Sequence, residues 1–167
     1  LLLGLPDERR HLVIAGLVLM VAGGSGLAAH RLVTTPAEEA TAVVRRFVER
    51  AVAYDVPGAS ACLHPEATLS TGSHRAPGRD RAVIIRGLER LDRYTITSNR
   101  LTTLKGHPED ADTVIVELRC RTSVEDDMGS TLTHWLMDVE RDAGGDWMIT
   151  RITMLSMNLR PVSRLPW

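Results

Sequence analysis

Lysine is almost missing from this chain: of 20 basic residues only Lys105 is a lysine, a bias of composition rather than of function. Neither sign of charge dominates, since 21 acidic residues offset them and leave a formal net charge of -1. Nucleic-acid binding calls for a clustered basic excess, so no nucleic-acid partner is expected. Aromatic residues make up 4% of the chain and Phe47 is its one phenylalanine, too few for a base-stacking platform. The two cysteines, Cys62 and Cys120, are too few for a disulfide scaffold or a structural zinc site. They could bridge in an oxidising compartment, or stand as two buried thiols acting as small hydrophobes. The six histidines are scattered without H-x-x-x-H spacing, and there is no C-x-x-C, so no metal is expected. The glycine-rich run Gly23-Gly24-Ser25-Gly26 lies inside an apolar stretch and is no phosphate loop, so no cofactor is expected either. Internal repeats and low-complexity segments are absent.

What is present begins with Leu12 to Ala29, a stretch without a single charge. At about 1.5 Å per residue it spans roughly 27 Å as a helix, close to the hydrocarbon thickness of a bilayer. Its flanks are sharply polar, with Asp7, Glu8, Arg9, Arg10 and His11 before it and His30 and Arg31 after it. The competing reading is a cleaved secretory signal with Leu27-Ala28-Ala29 as its site; length favours an uncleaved anchor. Arg9 and Arg10 outnumber Arg31, so the positive-inside rule puts the N-terminus in the cytoplasm and the remainder in the periplasm or outside the cell. Ala22 and Gly26 have the small-xxx-small spacing that lets a second helix approach closely, and are candidate partner contacts in the bilayer. The expected organisation is an N-terminal segment over 1–11, a transmembrane helix over 12–33, a folded domain over 35–158 and an extended tail over 159–167.

In the domain, Thr35-Pro36 with Glu38 and Glu39 marks a helix start. Ala40, Val43, Val44, Phe47, Val48, Ala51 and Val52 follow at helical spacing to an end near Tyr54-Asp55. Pro57 opens a short helix through about Leu63, closed by His64-Pro65. A short strand over Ala67–Thr71, a loop over Gly72–Gly78 and a third helix over Arg79–Leu91 come next. Four long strands end the domain: Tyr94–Leu104, a strand alternating from Thr113, Ser130–Arg141 and Trp147–Asn158. Turns at Gly106–Asp112, Glu125–Gly129 and Ala143–Asp146 separate them. The fold class is therefore α+β, with three helices packed on one face of a curved, mainly antiparallel sheet.

This order resembles the nuclear transport factor 2-like superfamily, the cone-shaped fold shared with SnoaL-like cyclases, ketosteroid isomerase and scytalone dehydratase. The resemblance runs from Ala37 to Asn158. It includes the helix ending Ala53-Tyr54-Asp55, the segment His64-Pro65-Glu66-Ala67-Thr68-Leu69, Gly78-Arg79-Asp80 before the third helix, and Gly145-Asp146-Trp147-Met148-Ile149 opening the last strand. It implies a fold and little function, because this fold carries many unrelated activities. Enzymes of the superfamily place an Asp or His base and a Tyr or Asp donor inside the cone. Where they often carry a carboxylate on the first short strand, this chain has Ser70 and Thr71. Weak catalytic candidates are His134, mid-strand beside Trp135, and Tyr54 and Asp55 at a helix end, where Asp is more commonly a turn residue. His74 reads as a solvated loop histidine. No residue pair meets the standard of an acid–base assignment.

Two functions follow as expectations. The first is a non-catalytic accessory subunit of a larger membrane complex, with other membrane-protein subunits and the lipid bilayer as partners. The bitopic subunit of the type IV secretion apparatus is a parallel in architecture alone. The second is a membrane-tethered SnoaL-like enzyme or small-molecule binder. In the tail, Pro161 and Pro166 exclude a regular helix or a central strand. Leu165 and Trp167 are candidate contacts to another subunit, because Trp is over-represented at interface hot spots. Resting at the membrane surface or folding back on the domain are the alternatives.

Overall fold

A computed structural model describes residues 34–74, 76–125 and 129–162. The expected membrane helix, with Ala22 and Gly26, and the tail residues Leu165 and Trp167 lie outside the described residues. No helix among the described residues is long and apolar enough to cross a membrane.

Helix α1 spans Pro36–Val52. Proline at its first position needs no hydrogen-bond donor, Glu38 and Glu39 complement the positive end of the helix dipole, and Arg50 complements the other end. Ala40, Val43, Val44 and Phe47 recur every three or four residues and are its buried side. A five-residue helix α2, Val56–Ser60, follows. Strand β1 then runs Leu63–Thr71, helix α3 Arg81–Glu89, and a 3₁₀ turn Arg90–Arg93. The long strands are β2 (Ile96–Pro108), β3 (Thr113–Val124), β4 (Ser130–Arg141) and β5 (Trp147–Met157), and a two-residue strand β6, Arg160–Pro161, ends the described chain. The sheet order is β1-β5-β4-β3-β2, with β6 pairing β5 beyond β1. Strand β1 runs parallel to β5 and the other pairings are antiparallel. Register shifts interrupt β1–β5, β2–β3 and β4–β5, and such bulges bend and twist a sheet.

Several boundaries differ from those read in the sequence, each for a physical reason. Strand β1 starts at Leu63 rather than Ala67, because Leu63 pairs with Ile149 and the Ile149 amide donates to the Cys62 carbonyl at 2.9 Å. Pro65 has no amide to give the ladder and lies where the β1–β5 register shifts. Strand β2 continues past Gly106 to Pro108, with Gly106 opposite Val116. The glycine reads as a turn signal but serves a close approach: a Cβ there would lie 3.0 Å from the Ala37 carbonyl oxygen, in the first turn of α1. Over residues 159–162 the tail does not leave the domain extended. Asn158 and Leu159 take positive φ values of 49° and 65°, and the chain turns back so that Arg160 pairs with Met157.

One side of the sheet and the helices share the core. Val114, Val116 and Leu118 of β3, Met137 and Val139 of β4, and Ile149 and Ile152 of β5 join Val44, Phe47, Ile84 and Leu88 in one buried cluster. The clamp on α1 is polar and lies at its start. Glu39 Oε2 accepts from Trp147 Nε1 at 2.7 Å and from Arg141 Nη2 at 2.9 Å, while the Arg141 guanidinium sits 4.8 Å from the centre of the Trp147 ring.

Candidate functional site

The strands separate chemistry by face, since alternate residues point to opposite sides. On β3 and β4 the helix side takes the buried register pairs Val114–Val139 and Val116–Met137, then Leu118–Trp135 and Cys120–Thr133. Toward the end marked by Cys120 the side chains become neutral and polar. The Cys120 thiol and the Thr133 hydroxyl lie 3.0 Å apart, and Thr122 Oγ1 donates to Asn99 Oδ1 at 2.9 Å. None of Cys120, Thr133, Thr122 and Asn99 is a carboxylate or a histidine.

The titratable groups gather on the opposite face, in two clusters of the same kind. In the first, Asp138 of β4 sits opposite Arg151 of β5. Asp138 Oδ1 lies 3.1 Å from His74 Nε2, and Oδ2 lies 3.8 Å from Arg151 Nε. Arg151 Nη1 also donates to the His74 carbonyl at 2.9 Å, which ties the loop after β1 to the sheet. The Asp138 side chain is only 16% exposed. Burial pushes its carboxyl above the ordinary carboxylate range, against the opposing pull of His74 and Arg151. In the second cluster, Glu117 Oε1 lies 3.0 Å from His134 Nε2 and 3.0 Å from Arg119 Nη2. Beside the first cluster, Ser70 and Thr153 are register partners on β1 and β5, and their buried hydroxyls bond at 2.9 Å.

The three residues singled out in the sequence are not brought together. His134 is on β4 with Glu117 and Arg119, on the face away from the helices. Tyr54 takes a positive φ of 58° just after α1, and its hydroxyl donates to the Tyr94 carbonyl at 2.6 Å and accepts from the Ile96 amide at 3.0 Å. It thereby ties the end of α1 to the start of β2. Asp55 caps α2 by accepting from the Gly58 amide at 2.9 Å and pairs with Arg50 at 2.6 Å. The Gly58 amide first, and Arg50 second, hold its carboxyl below the ordinary range, which makes it a weaker base. Asp138, Arg151 and His74 carry a cluster that reading by motif missed. The signal was available: Asp138 stands four residues from His134 on an alternating strand, so both share a face. Ser70, at the expected place of a carboxylate, is instead half of the buried hydroxyl pair. Cys62 and Cys120 are both free thiols and both buried. Burial raises the Cys62 thiol, so it is a poor nucleophile. Among the described residues no group of three or more His, Cys, Asp or Glu is placed to hold a metal ion.

No family model matches this chain, and no curated protein matches it in sequence. Solved structures do share its fold. A ketosteroid isomerase-like protein from Erwinia carotovora atroseptica superposes with a TM-score of 0.52 at 14% identity, covering 71% of this chain and 95% of that one. An NTF2-like protein from Cytophaga hutchinsonii gives 0.55 at 12% identity, over 67% of this chain and 90% of its own. An NTF2-like protein of unknown function from Pseudomonas putida gives 0.53 at 14%, over 75% and 92%. The domain has the nuclear transport factor 2-like fold. At these identities the likeness concerns architecture, and architecture of this kind carries many activities.

Proposed function

We propose that the chain is a non-catalytic accessory subunit of a larger membrane protein complex, tethered by the apolar stretch 12–29 and engaging its neighbours through the domain that begins at Pro36. The observation that carries this reading is the filling of the helix side of the sheet. Val114, Val116, Leu118, Met137, Val139, Ile149 and Ile152 occupy it as packed core. General acid–base chemistry inside a cone needs a positioned carboxylate or imidazole facing a donor there. The two His–carboxylate–Arg clusters of this chain lie on the other face, where one of them fastens a loop. The tether and an extracytoplasmic domain rest on the charge-free stretch and on Arg9 and Arg10.

The test is purification of the full chain in mild detergent, together with His134→Ala and Asp138→Asn variants. Stoichiometric membrane-protein partners that all three forms retain are expected. A reporter active only in the periplasm, fused after Trp167, should be active. A monodisperse chain without partners, or a silent periplasmic reporter beside an active cytoplasmic one, would count against the proposal. The second reading is a membrane-tethered SnoaL-like enzyme or binder. Its support is Asp138, a mostly buried carboxylate raised above its usual range and close to His74. Loss of a measurable chemical step in Asp138→Asn, with folding intact, would favour it.

A further inference from the structure

The sheet face away from the helices is uneven in charge. On β2 and β3, Arg100 and Arg121 are register partners and both are exposed. No ion pair joins either to a carboxylate among the described residues. Like charges directly opposite on a sheet repel, so this arrangement works against the fold it stands in. The register that imposes it is fixed by the next pair along, Asn99 and Thr122, which bond to each other on the helix side. Two residues from Arg121 stands Arg119, and further along β2 stands Lys105, exposed and opposite Glu117. Glu117 is the one carboxylate on this stretch of the two strands, and Arg119 and His134 already share it. Four cations thus face one engaged carboxylate on a chain whose formal net charge is -1.

The shape of this surface selects its occupant. These side chains stand in rows along two neighbouring strands, so they meet a plane of anions better than a single small ligand. The guanidinium group is a planar fork that matches phosphate oxygens two at a time. We infer that this face docks on anionic phospholipid headgroups, with Arg100, Arg121, Arg119 and Lys105 meeting the lipid phosphates. The inference rests on the membrane-tethered reading above and adds to it an orientation, with the β2–β3 face against the bilayer.

The experiment uses the full chain in nanodiscs with a dye on Thr102→Cys, an exposed β2 position two residues from Arg100. Cys62 and Cys120 are buried and stay unlabelled. A headgroup-attached quencher is included in discs of phosphatidylcholine alone or of phosphatidylcholine with phosphatidylglycerol. Quenching is expected in the phosphatidylglycerol discs only. It should be lost in Arg100→Gln/Arg121→Gln and in high salt, which screens exposed charges. Equal quenching in both lipids, or quenching that the double variant retains, would overturn the inference. So would an unquenched dye combined with weaker co-purification of partner subunits by the double variant, which would give the face to an acidic protein. If the chain does not enter nanodiscs at all, the tether falls. The same dye read against free phosphatidylglycerol vesicles then decides the face separately.

Discussion

At the scale of residues, two aspartates show how one side chain type does opposite things. Asp55 is half-buried, accepts a backbone amide, pairs with Arg50, and is held below its usual range. Asp138 is largely out of water, and burial raises it despite the opposing pull of His74 and Arg151. A carboxyl raised in the fold binds its proton more readily there than in the unfolded chain. Its ionised form therefore weakens the fold, and stability declines as pH climbs from the unfolded carboxyl range through the raised folded value. Asp138→Asn removes that ionisation and keeps the shape. The variant is expected to melt at or above the wild-type temperature at neutral pH, and this advantage should close as the pH is lowered into the acid range. Thermal unfolding across a pH series checks it. A neutral-pH loss of stability in the variant would mean that His74 and Arg151 outweigh the burial.

At the scale of elements, the long strands and the first helix were legible because their periods are strong. Strand β4 has the predicted limits, and α1 starts at the predicted proline. The failures have one cause: a local signal was spent on a distant contact. Gly106 lacks a side chain because α1 crosses β2 there, with the Ala37 oxygen, Cβ and Cα within 3.2 Å of where a Cβ would be. No sequence window could separate that from a turn. The same holds for the candidate site: alternation places Asp138 and His134 on one face, whereas only the loop's path brings His74 to Asp138. Gly106→Val should therefore push α1 off β2 and cost about 1–3 kcal/mol by overpacking. Urea unfolding would measure it, and a variant within experimental error of wild type would show that α1 can shift without loss.

At the scale of the whole domain, packing and charge occupy different sides of one sheet. The helix side holds the apolar cluster, and the other side holds the two His–carboxylate–Arg clusters and the arginine rows. The tail belongs to this domain as far as it is described. Arg160 and Pro161 pair with β5, the Val162 amide donates to the Leu155 carbonyl at 3.2 Å, and the Val162 oxygen lies 2.9 Å from where a Cβ on Gly72 would be. Removal of 159–167 is expected to lower the domain's melting temperature, whereas removal of 163–167 should leave β6 and most of that stability in place. Equal effects of the two truncations on melting would assign the contribution to the last five residues instead.

The parallel pairing of β1 with β5 has a consequence for biosynthesis. Ser70 and Thr153, hydrogen-bonded neighbours in the finished sheet, stand 83 residues apart in the chain. At a synthesis rate of roughly 5–20 residues per second, β1 is made about 4–17 s before its partner strand exists. Antiparallel neighbours such as β2 and β3 can meet as soon as both are made, since hairpins form in about 1–10 μs. During that interval β1 presents Leu63, Ala67 and Leu69, all buried later, on a strand whose β5 edge is still uncovered. The growing chain thus carries an open strand edge while those 83 residues are made, and a chaperone that shields short apolar strands has its natural target there.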